Sequence, residues 1–306
     1  MDPLHDRRQE MPQAEFDAVH YFVHEPGRAP APPPQPALYL AAALTQPALA
    51  DRLDALVADV GALAPGCTPV ATGWASAGEA PAGSPGGPGA RAHAALRAGR
   101  VEMLQVSLAD ELGRRIVLSL EALPDDPHAC LGLSVTGEDD PWSAGPDATA
   151  EALLTLVAAR QREWSLTTAA VTLDRAGADR TPWELWYSAP NTVVLPAVAD
   201  HVRGYYWANL LTEGHVAAYG GIGELRARAA AAGMTVHPAG DGVVVRDPGP
   251  VTGFGDDRLA AMKELLAPVL IDRPYLSYQG YPLRIVKDPG TAFRRVPPGD
   301  PFPRVV

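Results

Sequence analysis

Cysteine is scarce: Cys67 and Cys130 stand far apart in 306 residues and show no CxxC or Cys/His ligand spacing. Neither a disulfide framework nor a zinc site is therefore required. Long apolar runs are missing too, with none approaching the ~18 residues of a membrane span. The N-terminus, MDPLHDRRQEMPQAEFD, carries charges where a secretory signal needs an apolar core. A cytoplasmic address without a membrane partner is the expectation. Positive charge is also in short supply, since 25 Lys and Arg face 36 Asp and Glu, for a net −11. A phosphate-binding groove needs the opposite surplus, which argues against nucleic acid as a partner. Catalytic signatures are lacking as well. There is no HExxH, GxSxG or SxxK, and Gly220-Gly-Ile-Gly223 falls short of GxGxxG and is followed by no P-loop Lys, Ser or Thr. The motifs assign no catalytic residue, no cofactor and no metal.

What is present is a chain with 47% apolar residues, enough for a sizeable core. Prolines cluster at 26–36, 81–88 and 297–303, which reads as edges and linkers. Residues 1–35 form a proline-rich arm with a short strand near 18–23, and 36–175 an N-terminal α+β subdomain. In it, a strand over 37–45 precedes a helix after Pro47 with Leu49, Leu53, Leu56, Val57 and Val60 on one stripe. A short strand from Thr68 ends near Trp74, and 78–89 reads as a surface loop. Runs at 100–107, 115–120 and 130–135 form an antiparallel meander, followed by a helix over 147–164 and a strand over 166–173.

Residues 176–306 form the C-terminal subdomain. A strand before 211, a helix over 222–232 ending at Gly233, a hairpin around 239–241, a helix over 256–266 and a strand over 277–286 give a ferredoxin-like order. The fold class is α+β: two sandwich-like subdomains of antiparallel sheet, each with helices packed on one face.

The stretch VRGYYWANLLTEGHVAAYGGIG, residues 202–223, brings aromatics, polar groups and glycines closest together. Read as a strand, it sends Tyr205, Trp207 and Asn209 to one face. Trp183, Glu184, Trp186 and Tyr187, with Tyr205, Tyr206 and Trp207, are seven side chains that admit two readings, an aromatic core or anchors of a binding surface. His201, Glu213 and His215 invite an acid–base or metal reading, but their spacing matches no ligand motif. Acidic runs such as Asp256-Asp257 read as solvated turns, or as part of a negative face for a basic protein.

Arg203-Gly-Tyr-Tyr-Trp-Ala-Asn-Leu-Leu, His215-Val-Ala-Ala-Tyr-Gly-Gly221, the valines at 243–245 and Leu265-Leu-Ala-Pro-Val-Leu270 resemble the C-terminal half of immunity proteins found beside bacterial polymorphic and type VI-secreted toxins. The likeness covers roughly the last 110 residues, in short motifs. It implies a cytoplasmic, non-catalytic α+β protein that binds a cognate toxin, expected to be basic, and occludes its active site. The candidate partner-binding residues are Trp183, Glu184, Trp186, Tyr205, Trp207, Glu213, Asp256 and Asp257. Two alternatives stand beside it: a small-molecule enzyme using Glu213, His215 or His201 in a cleft between the halves, and a structural component of a phage or contractile injection machine.

Overall fold

The computed structural model describes residues 21–22, 34–76, 82–122, 131–138, 141–142, 144–174, 179–180, 201–202 and 204–270. Strand β1 (Tyr21–Phe22) precedes β2 (Gln35–Ala42), helices α1 (Gln46–Ala50) and α2 (Leu53–Leu63), β3 (Thr68–Ser76), β4 (Ala82–Pro85) and α3 (Ala90–Arg97). The meander β5 (Val101–Ala109), β6 (Arg115–Ala122) and β7 (Leu131–Glu138) leads to α4 (Pro146–Arg160), β8 (Leu166–Asp174) and the short β9 (Asp179–Arg180). Then come β10 (Ala208–Leu211), α5 (Glu213–Ala217), α6 (Ile222–Ala231), the hairpin β11 (Thr235–Ala239) and β12 (Gly242–Arg246), and α7 (Asp256–Leu266).

The α+β class follows the sequence, with an antiparallel sheet and helices. The sheet is continuous across both halves, in the order β11-β12-β10-β8-β2-β7-β6-β5-β3-β4, every neighbouring pair antiparallel. The three strands β10, β11 and β12 adopt the order expected of a split βαβ unit. The edge of β10 that such a unit reserves for its last strand is taken by β8, with Ala208 opposite Val171 and Leu210 opposite Ala169. The strand expected over 277–286 lies outside the described residues. Tyr21 and Phe22 of the arm pair with Arg180 and Asp179 in a separate ladder.

Local chemistry explains the helices. Thr45 caps α1 by accepting from the Ala48 amide, with Pro47 in the first turn. The single helix expected after Pro47 is broken at Asp51–Arg52, where the Arg52 amide turns back to the Leu49 carbonyl at 2.8 Å. The apolar stripe survives the break, and Leu49, Leu53, Leu56, Val57 and Val60 are all buried. Buried Gln46 donates to the Val101 carbonyl at 2.8 Å and accepts from its amide at 3.0 Å, serving as a strand neighbour at the start of β5. The segment 78–89, expected to be a loop, supplies β4 instead. Its backbone pairs with the edge of β3 from Ala71–Pro85 to Trp74–Ala82, which small residues permit and sequence periodicity does not reveal.

The main core lies where α1–α4 cover one face of the sheet. Alternate residues Leu38 and Leu40 of β2, Leu104 and Val106 of β5, and Leu118 and Leu120 of β6 meet Leu53, Leu96, Leu153 and Val157 of the helices. Each such side chain contributes about 1.5–3 kcal/mol on burial. In the C-terminal strands the opposite face is covered too: Leu211 and Val245 are buried, as are Leu225, Ala229, Met262 and Leu266 of α6 and α7, none of which belongs to the first cluster. Among the described residues no helix is long and apolar enough to cross a membrane.

Leu38→Ala is expected to cost about 2–5 kcal/mol. Because β8 joins the two halves, urea unfolding is expected as one transition, with fluorescence and far-ultraviolet dichroism superimposing; two separated transitions would contradict that continuity. Burial pushes the Cys67 thiol above its usual range, helped by the Asp110 carboxylate and opposed by Arg114. Cys67 should therefore alkylate far more slowly in the native protein than after unfolding, as read by mass spectrometry of its peptide.

Candidate binding surface

The aromatic stretch that stands out in the sequence is built inward. The chain is not a strand at Tyr205–Trp207: the Asn209 side chain donates to the Tyr206 carbonyl at 2.8 Å and accepts from the Tyr206 amide at 3.3 Å, folding a turn in front of β10. The alternation that places Tyr205, Trp207 and Asn209 on one face is thereby lost. Tyr205 and Trp207 are fully buried and present no surface to an incoming molecule. Trp183, Glu184 and Trp186 lie outside the described residues.

Trp207 has a structural task. Its indole N–H donates to the Gly249 carbonyl at 2.9 Å, and the Arg246 guanidinium sits 4.7 Å above its ring. Arg246 reaches on to Glu151 of α4 at 2.6 Å, while the buried Asp247 carboxylate accepts from the Gly249 amide at 2.6 Å and from Arg258 of α7. A buried carboxylate is tolerable only with such partners. Thr252 adds two bonds to Asp147 at 3.0 Å, and Arg162 pairs with Asp241 at 2.5 Å. These contacts pin the C-terminal half to α4. Sequence inspection passes over Arg246, Asp247 and Arg258, because their value arises only when β12, α4 and α7 meet.

Glu213 begins α5 and Asp257 lies in the first turn of α7; both are exposed. Asp256 opens the same helix. Tyr219, just after α5, donates to the Leu265 carbonyl at 2.8 Å, so that junction sits against the far end of α7, about 12 Å along the axis from Asp257. Burial drives the Tyr219 hydroxyl well above the usual phenol range, against the opposing charge of Arg228. His215 is buried, and its Nδ1 accepts from the Thr212 amide at 3.1 Å in a capping box for α5. Among the described residues no group of three or more His, Cys, Asp and Glu is placed to hold a metal ion. The described cleft between β2, β6 and α1–α2 is lined by Leu40, Ala42, Leu44, Leu49, Leu56, Leu120 and Trp164, with Arg52 its sole charged group.

A different surface departs in composition from an ordinary solvated sheet face. Among the described residues, strands β3, β5, β6 and β7 carry no helix on the face opposite α1–α3, and the side chains there are half-buried or exposed. One cross-strand row carries Gly73, Gln105 and Ser119, and the next Ala71, Ser107, Val117 and Thr136. None is buried, and none is charged. Gln105 donates to Ser119 across the strands at 3.1 Å, and Met103 stands beside them at 44% exposure. Solvated sheet faces ordinarily carry Lys, Glu, Arg or Thr, whereas the centre of a protein interface is depleted of charge. The signal was present in β5, where every second outward residue (Met103, Gln105, Ser107, Ala109) lacks a charge, but it becomes a surface only once β3 and β6 lie alongside.

Replacing Ser119 with Lys should change stability by no more than about 0.5 kcal/mol. Trp207→Ala should cost about 3–5 kcal/mol, both measured by urea denaturation.

No protein-family model matches the chain, and no curated protein matches its sequence. Among solved structures it is similar to one titled Pseudomonas aeruginosa T6SS protein PA0821. The TM-score is 0.50 and the identity 14%, with 78% of this chain and 76% of that chain covered. At that identity the likeness establishes a shared α+β fold.

Proposed function

We propose that this chain is an immunity-type binding protein associated with type VI secretion, which neutralises a cognate toxin in the cytoplasm by covering its active site. The observation that carries this reading is the pair of uncharged cross-strand rows at the centre of the β3, β5, β6 and β7 face, on a protein of net charge −11. Strand spacing and rise give those two rows a plan area of roughly 250 Å², about a third of the ~800 Å² each partner contributes to a standard interface. An acidic body draws a basic partner in by long-range attraction, while an uncharged centre lets the two surfaces meet without stripping water from ions. The motifs at 203–221 and 243–270 support the same reading, as does the fold shared with a protein titled as belonging to a T6SS.

Neutralisation of this kind is stoichiometric, because no bond is made or broken and the toxin is held out of contact with its substrate. Co-expression with the toxin encoded in the adjoining gene is expected to restore growth. The purified pair should form a 1:1 complex whose association slows as salt is raised. A toxin that keeps full activity in a molar excess of this protein would overturn the reading.

A further inference from the structure

Among the described residues the ten-stranded sheet ends in β4 on one side and β11 on the other. A strand at the end of a sheet presents unpaired N–H and C=O groups to any other extended chain, and by that route one molecule's sheet can grow into the next. Which groups each edge offers follows from its ladder, because alternate residues of an antiparallel strand turn their N–H and C=O toward opposite sides.

For β4 the direction is fixed at the Gly86 amide, which donates to the Val70 carbonyl of β3 at 2.9 Å. Ser84 and Ala82, two and four residues back, therefore turn toward β3, opposite Thr72 and Trp74. Gly83 and Pro85 turn outward. For β11 the direction is set from β12, where the Asp247 amide donates to the Trp207 carbonyl at 2.9 Å on the β10 side. Arg246, Val244 and Gly242 then turn toward β11 and meet Thr235, His237 and Ala239. Val236 and Pro238 turn outward. Proline has no N–H, so at these outward positions it costs the inner ladder nothing and removes a donor that a further strand would need. Each edge is left with one outward N–H, Gly83 in a strand of four residues and Val236 in a strand of five. Pro85 and Pro238 are both exposed.

We infer that Pro85 and Pro238 close both ends of the sheet to strand addition, so that the chain neither pairs edge to edge with a second copy nor takes up an extended segment of another protein there. An incoming strand finds a single N–H on either edge, and a ladder cannot continue past that one residue. In the toxin complex proposed above, contact is then made by side chains and not by an added strand. The inference does not depend on that complex and is tested on the chain alone, so its failure leaves the immunity reading untouched.

Amide hydrogen exchange on the purified full chain reads the edges directly. Gly83 and Val236 are expected to exchange at least about tenfold faster, relative to their intrinsic rates, than the inward amides of Ser84 and His237. Slow exchange at Gly83 or Val236 would show a covered edge and overturn the inference. A double variant, Pro85→Val with Pro238→Val, restores a donor to each edge. It is expected to keep the wild-type far-ultraviolet dichroism and to gain concentration-dependent association, seen as a rise in sedimenting mass that wild type does not show. A folded double variant that sediments like wild type at every concentration refutes the role given to the prolines. Should the double variant not fold, the wild-type exchange pattern decides by itself.

Discussion

Strand β8 is the constraint on which the molecule depends. It pairs along one edge with β2, from Gln35–Asp174 to Ala42–Leu166, and along the other with β10, from Ala208–Val171 to Leu210–Ala169. Two sets of strands that would otherwise be separate sheets share its backbone hydrogen bonds. Its side chains Ala169 and Val171 lie in the main core with Leu38, Leu40, Ala208 and Leu210. The tie is reinforced outside the sheet by Arg246 to Glu151, Thr252 to Asp147 and Arg162 to Asp241, all bridging the C-terminal half to α4 or the turn that follows it.

This union has a functional consequence. The C-terminal strands bury residues on both faces, so the aromatics gathered near residue 205 are consumed by packing: Trp207 holds Gly249 and lies under Arg246. Among the described residues, the N-terminal strands β3, β5, β6 and β7 receive helices on one side only. On their other side the inner rows hold glycine, alanine, serine, valine, threonine and glutamine, half-buried or exposed.

Ionisable groups follow the same division of labour. His215 caps a short helix, Asp247 is enclosed by Arg258 and the Gly249 amide, and Asp110 organises a hairpin turn. Each is used to hold backbone in place. Surface carboxylates such as Glu213 and Asp257 are spread over different helices.

Local patterning determined a good deal by itself. The stripe at Leu49, Leu53, Leu56, Val57 and Val60, the alternation in β5 and β6, Pro146 at the start of α4, and the hairpin around Gly240 are all short-range signals, and they yield the elements and the α+β class. Pairing across long sequence separation leaves no such trace. Nothing in Ala82–Pro85 announces a strand until the edge of β3 offers it partners, and nothing in residues 166–174 announces that β8 bridges the two halves. The uncharged rows were hidden for the same reason. A tryptophan advertises itself in one dimension whether it ends in the core or at the surface, whereas an uncharged face is assembled from unremarkable residues on four strands, and only tertiary hydrogen bonding decides which strands stand side by side and which of their faces stays in water.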